Sequence, residues 1–160
     1  MPYKIQELDA ELYKKLARTW MINSINMIDA IRDVDTLDMM LESPTCCFYE
    51  TKNPDVFFWL SSVQPGHQAE FHVLNARGRD SASNIGQYFP TIREIFTDFN
   101  LHRVLIAVPS VRPKLEEYAK KLFFKYEGTL RKGAIVDGKF SNLTLLGLVK
   151  EDIPEKEQKR

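Results

Sequence analysis

Leu101-His102-Arg103-Val104-Leu105-Ile106-Ala107-Val108-Pro109 is an apolar run of strand length, rich in β-branched residues. Pro109 ends it, because proline has no backbone N–H with which to continue a ladder. The run predicts a buried central strand. Residues 111–123 follow with Leu115, Tyr118, Ala119, Leu122 and Phe123 at three-and-four spacing and Lys and Glu on the other face, which predicts an amphipathic helix. Pro113 suits its first turn. Residues 124–131 and then 134–136 lead into Asp137-Gly138, with 139–140 running into 143–149 after it; Asp-Gly between two β-rich runs is the strongest short-range hairpin signal that a sequence offers.

Upstream, residues 1–8 read as a short first strand, with Tyr3 and Ile5 on one face. Residues 11–31 carry helical spacing (Leu12, Leu16, Ala17, Trp20, Ile25, Ile28), interrupted near Asn23-Ser24, whose side chains compete for the backbone. Asp33 or Asp35 caps a further helical stretch through Met40, which Ser43-Pro44 ends. Residues 45–50 and 56–63 read as strands around the polar turn Lys52-Asn53-Pro54-Asp55. A third strand, 68–75, puts Gln68, Glu70, His72 and Leu74 on one side and Ala69, Phe71 and Val73 on the other. A helix is expected again through Ile85, Phe89, Ile92, Ile95, Phe96 and Phe99.

The chain of 160 residues fits one domain over residues 1–150, with a charged, Pro-containing tail at 151–160 expected to be disordered. Lys and Arg total 22, as do Asp and Glu, so no net field draws the protein to nucleic acid or to an anionic membrane. No apolar run reaches membrane-spanning length and residues 1–15 lack a signal-peptide core, so a cytoplasmic location is expected. Cys46 and Cys47 are adjacent, a geometry that seldom bridges, and no Cys or His cluster suggests a metal site.

Two stretches, LHRVLIAVP and KKLFFKYEGTLRKGAIVDGKFSNLTLLGLVKED, resemble the C-terminal half of the GNAT-fold N-acetyltransferases, and within them the ribosomal-protein alanine N-acetyltransferase branch. That branch typically reads hydrophobic-Arg-Val, a helix ending Lys-Leu-Gly-Phe, Glu-Gly-x-Leu-Arg, an Asp-Gly hairpin and a last strand ending Leu-Leu-x-Glu/Asp. The match is specific over the last third of the chain and weaker back to Trp59. The resemblance implies an α/β fold with a twisted mixed sheet of about six or seven strands, helices on both faces, and acetyl-CoA as co-substrate. In such folds the early helices wall the acceptor cleft, where Trp20, Met21, Met27, Met39 and Met40 either line it or pack as core.

By the same resemblance the 68–75 strand splays from its neighbour, and acetyl-CoA lies in the gap against exposed backbone, here that of Val73, Leu74 and Asn75. The loop after it gives N–H groups to the pyrophosphate, aided by the following helix N-terminus. In this chain the implied cofactor-binding residues are Asn75, Arg77, Gly78, Arg79, Ser81, Ala82, Ser83 and Asn84, with Arg112 at the position of a cofactor-contacting Asn. The chain departs from the family pattern Gln/Arg-x-x-Gly-x-Gly/Ala by placing Asp80 where a small residue is expected, and a carboxylate repels pyrophosphate. It departs again in having Phe123 where the helix-ending motif has Gly, and Ala119 where many members carry a Tyr acid, with Tyr118 beside it.

The catalytic candidates are Glu70 and His72. Amine acetylation needs a deprotonated nucleophile, and a carboxylate or an imidazole can take that proton. The acceptor class is a protein N-terminal amine or a small-molecule amine, and a protein partner or homo-oligomer is compatible with the chain. The alternative is a GNAT-fold module that has lost acyl-CoA binding and serves in structure or protein interaction, for which Asp80, Arg112 and Phe123 argue together.

Overall fold

The computed structural model describes residues 3–77 and 84–155. Six strands form one mixed sheet in the order β1-β2-β3-β4-β6-β5, where β1 is Cys47–Glu50, β2 Val56–Gln64, β3 Gln68–Asn75, β4 Arg103–Pro109, β5 Lys125–Val136 and β6 Lys139–Val149. All neighbours are antiparallel except β3 and β4, which run parallel. The 101–109 run is therefore central, with β3 on one side and β6 on the other.

Helices lie on both faces, as the alternation of the strands requires. Four helices do this: α1 (Ala10–Asn23), α2 (Val34–Glu42), α3 (Phe89–Asp98) and α4 (Pro113–Lys121). On one face Phe58, Leu60, Phe71, Val104, Leu146 and Leu148 pack with Ile92, Ile95 and Phe96 of α3 and Ala119 of α4. On the other, Phe57, Trp59 and Leu74 pack with Leu16 and Trp20 of α1 and Leu37 of α2. Trp20 belongs to this core, with Met27 and Met40 packed against it, whereas Met21 and Met39 are exposed.

Local chemistry sets the helix ends. Asp9 accepts from the Leu12 N–H at 2.8 Å to start α1, and Asp33 accepts from the Asp35 N–H at 3.0 Å to start α2. The break expected near Asn23-Ser24 is where α1 stops, followed by single 3₁₀ turns at Ser24–Asn26 and Asp29–Ile31. Asp137 and Gly138 both have positive φ, 52° and 76°, and Val136 pairs with Lys139 across them, the geometry of a primed two-residue hairpin.

Several boundaries differ from the sequence expectation. The first strand reduces to a single bridge, Lys4 to Tyr49, because the segment is held sideways by Glu94 of α3, which accepts from the Tyr3 and Lys4 amides at 2.7 to 2.8 Å. The 45–50 strand begins only at Cys47. The helix expected through Ile85 opens as a 3₁₀ turn, Ile85–Tyr88, and becomes α-helical at Phe89, with Pro90 in its first turn. The charged tail continues as a 3₁₀ turn at Lys150–Asp152, beyond which Ile153 packs on the core and the Pro154 carbonyl accepts from Arg93 at 2.8 Å.

Candidate active site

The parallel pairing of β3 with β4 covers Gln68↔Arg103, Ala69↔Val104 and Glu70↔Leu105 and then stops, although β3 continues to Asn75 and β4 to Pro109. From Phe71 and Ile106 onward the facing edges have no ladder partner among the described residues, so the sheet opens a gap at its centre. Elsewhere the sheet holds both strands: Val56↔Asn75 through Ser61↔Glu70 tie β3 to β2, and Arg103↔Val149 through Pro109↔Leu143 tie β4 to β6. The opening is thus framed by continuous ladders on both sides. Val73 packs on the α3–α4 core, Leu74 is buried in the α1–α2 core, and Asn75 is buried beyond them. The Asn75 backbone is already engaged by the last residue of α1: its N–H donates to Asn23 Oδ1 at 3.2 Å and its carbonyl accepts from Asn23 Nδ2 at 2.7 Å.

Glu70 and His72 stand on the α1–α2 side of β3, next to this opening. His72 lies flat on Trp59, ring centroids 3.6 Å apart and planes 12° from parallel. Burial pushes its pKa down from 6.5 to about 3. The 27% of its side chain that still meets solvent, and Glu70 Oε2 at 4.0 Å, pull the other way; the imidazole is neutral near pH 7. Glu70 is more open, its side chain 53% exposed. Between the two sits Ser61 of β2, a residue that no local pattern singles out. Its hydroxyl donates to Glu70 Oε2 at 3.1 Å and is 2.9 Å from His72 Nε2.

Gly78, Arg79, Asp80, Ser81, Ala82 and Ser83 lie outside the described residues. Of the loop's two ends, Arg77 donates its backbone N–H to Asn75 Oδ1 at 2.9 Å and pairs through Nε with Asp55 at 2.9 Å, its side chain 80% exposed. Asn84 has left-handed backbone, φ 56°, immediately before the 3₁₀ turn. Among the described residues no group of three or more His, Cys, Asp or Glu could hold a metal, and no helix is long and apolar enough to cross a membrane.

The sequence matches no protein-family model, and no curated protein matches it. Solved structures do match. A variant of the spermidine N-acetyltransferase of Vibrio cholerae superposes with a TM-score of 0.73 at 15% identity, over 92% of this chain and 95% of that one. A second variant gives 0.73 at 15% identity, over 97% and 96%. The same enzyme in complex with CoA and spermine gives 0.68 at 15% identity, over 92% and 95%. The fold is that of the GNAT acetyltransferases.

Within the GNAT fold, the positions where this chain departs from the family pattern have readable surroundings. Phe123 follows α4 with φ 72°, the left-handed conformation that a glycine accepts freely at a helix end. The Phe124 N–H donates to the Ala119 carbonyl at 3.1 Å and the Phe123 N–H to Lys120 at 3.0 Å, so the helix closes as it would with Gly. The Phe123 ring meanwhile stacks on Phe89, centroids 5.4 Å apart. Ala119 is fully buried, and Tyr118 meets Tyr88 edge-on at 6.4 Å. Arg112 reaches away along the hairpin: it donates to the Ile25 carbonyl at 2.9 Å and to Asp137 at 3.4 Å.

Proposed function

We propose that this protein is an acetyl-CoA-dependent N-acetyltransferase acting on a small amine. The observation that carries the reading is the central gap, where β3 and β4 pair over three residues and then part. Unpaired main-chain edges in a sheet are donors and acceptors that need partners. The amides of a CoA pantetheine arm are suited to supply them alongside Val73 and Leu74. The small-amine class is favoured because matching solved structures include a spermidine N-acetyltransferase, one of them bound to CoA and spermine. The sequence resemblance to the ribosomal-protein alanine branch makes a protein α-amine the second acceptor class to test.

Acetyl-CoA supplies an activated acyl group when bound. The chain's own contribution is to hold the acceptor amine on the α1–α2 side of β3 and remove its proton. Glu70 fits that task, being an accessible carboxylate at the last paired position before the opening. His72, held neutral and stacked on Trp59, orients the site. The pyrophosphate falls to the loop from Asn75 through Arg77, Gly78, Arg79, Ser81, Ala82 and Ser83 to Asn84, with arginines supplying charge. Arg112 in its present engagement braces the hairpin tip, bonded to the Ile25 carbonyl and to Asp137.

Titration calorimetry with acetyl-CoA and CoA tests the reading, followed by mass spectrometry of polyamines and of peptides with free N-termini incubated with enzyme and acetyl-CoA. Binding at micromolar concentration and acetylation of at least one amine class are expected. No heat and no thermal shift at millimolar CoA would end the reading in favour of a structural or interaction module.

A further inference from the structure

The geometry points to Ser61 as a positioning residue that couples His72 to Glu70 and fixes the imidazole tautomer. The inference rests on β3 forming the acceptor side of the proposed acetyltransferase site. Ser61 and Glu70 are paired across β2 and β3, and His72 lies two residues further along the same face. One hydroxyl hydrogen serves two neighbours, and the carboxylate is an acceptor only. If Ser61 gave its hydrogen to His72 Nε2, its oxygen would face the Glu70 oxygen at 3.1 Å with lone pairs opposed. The arrangement that satisfies all three groups is a chain: His72 Nε2–H donates to Ser61 Oγ at 2.9 Å, and Ser61 Oγ–H donates to Glu70 Oε2. The imidazole is then the Nε2–H tautomer, with Nδ1 unprotonated.

The backbone around Ser61 is built to hold this arrangement. The ladder with β3 runs unbroken through Ser61↔Glu70 and is then interrupted, resuming at Gln64↔Gln68. Ser62, inside the interruption, has φ 50°, a left-handed conformation that a serine adopts at a cost. The bulge turns Val63 into the α3–α4 core, where it is 8% exposed, and leaves Ser61 as the last β2 residue on the Glu70 face before the interruption. Trp59, two residues earlier on that face, fixes the imidazole plane by stacking. Ring plane, tautomer and carboxylate rotamer are thus set from a single strand.

The test is 15N NMR of the full chain with histidines labelled, the His72 signals assigned by their loss in His72→Gln. The wild type is expected to show a protonated Nε2 and an unprotonated Nδ1 at pH 7. Ser61→Ala should move the His72 Nε2 and Nδ1 shifts toward those of a free neutral imidazole, and Ser61→Thr, which keeps the hydroxyl, should restore the wild-type shifts. A protonated Nδ1 in the wild type, or a spectrum unchanged in Ser61→Ala, overturns the inference whether or not the protein acetylates anything. Kinetics add a second readout: Ser61→Ala should lower kcat about tenfold with KM for acetyl-CoA unchanged, and Ser61→Thr should recover most of it. An equal kcat in Ser61→Ala and wild type would refute the coupling. A wild type that binds no acyl-CoA but shows the expected tautomer would refute the acetyltransferase reading alone.

Discussion

Asp29→Ala should loosen the β5–β6 hairpin tip from the helical connection below it and destabilise the domain by about 2 kcal/mol. Asp29 lies in the 3₁₀ turn after α1, and its two carboxylate oxygens accept the Asp137 and Gly138 N–H groups at 2.8 Å each. Those amides sit at the apex of the hairpin, more than a hundred residues away in sequence, and no ladder bond is available to them there. A hydrogen bond to a charged acceptor contributes about 1.5–3 kcal/mol when shielded. Asp29 is 35% exposed, so solvent screening brings each bond below that range, to roughly 1 kcal/mol. Its 3.4 Å contact with Arg32 adds little, because Arg32 keeps Asp137 at 2.6 Å after the substitution. Asn at position 29 retains one acceptor oxygen and should lose about half as much.

Urea unfolding gives the free-energy change, and amide hydrogen exchange localises it. A loss of about 2 kcal/mol corresponds to a Tm lower by roughly 4–8 °C in a domain of this size. Exchange should accelerate at Asp137 and Gly138 and hardly change at Leu146 or Leu148, at the far end of β6 where it pairs with the central β4. A loss below about 0.5 kcal/mol, or protection at the two apex amides equal to wild type, would show that the hairpin needs no clasp from Asp29.

Three further outcomes are expected. Glu70→Gln should lower acetyl transfer by about 10² or more and leave acetyl-CoA binding nearly intact, since the carboxylate acts on the acceptor's proton; equal losses in both would place Glu70 on the cofactor. Gly147→Ala should break the Arg103–Glu127 ion pair, because a Cβ there would overlap the Glu127 carboxylate; a crystal structure of the variant with Glu127 unmoved would contradict this. Acidification should destabilise the protein in two windows, read by urea titration from pH 7 to 3. The neutral His72 is favoured by the fold, so the unfolded chain binds the extra proton between about 6.5 and 3 and stability falls as pH falls through that range; His72→Gln should flatten it. Asp137, held below its ordinary 3.8 first by its hydrogen bond from Arg32, stabilises above that value and ceases to as pH drops further.

Fold was legible wherever the signal is local. The 101–109 strand, the helix ended by the Phe123 turn and the Asp137-Gly138 hairpin follow from periodicity and turn chemistry within about ten residues of chain, and each appears within about two residues of where the pattern puts it. Residues 1–8 carry the same alternation but meet only an edge strand, so Glu94, some ninety residues on, decides their course. The site was legible in part. Glu70 and His72 share a face because a strand has period two, which the sequence states directly. Ser61 was not, because its position beside them depends on the β2–β3 register and on a bulge at a serine that no propensity rule marks. Asn23 and Asp29 were hidden for the same reason: each acts on backbone groups 52 or more residues away.

The opening between β3 and β4 raises the question of what keeps it open, since two parallel strands that start in register would ordinarily go on pairing. Each strand is committed elsewhere along the stretch where they diverge. β3 stays in antiparallel register with β2 as far as Val56↔Asn75, and Asn23 grips the Asn75 backbone from the α1 side. β4 follows β6 through Val108↔Thr144 and Pro109↔Leu143, into a hairpin whose tip is clasped by Asp29, Arg32 and Arg112. Closing the gap would require one of these ladders to shift by a register step, which would move alternating side chains such as Phe71 and Leu74 into the opposite core. Two separate cores, one on each face, therefore hold the strands apart more firmly than any residue in the gap. Substitutions lining the opening should accordingly alter binding, while those that loosen the Asn23 or Asp29 contacts should alter whether the opening exists.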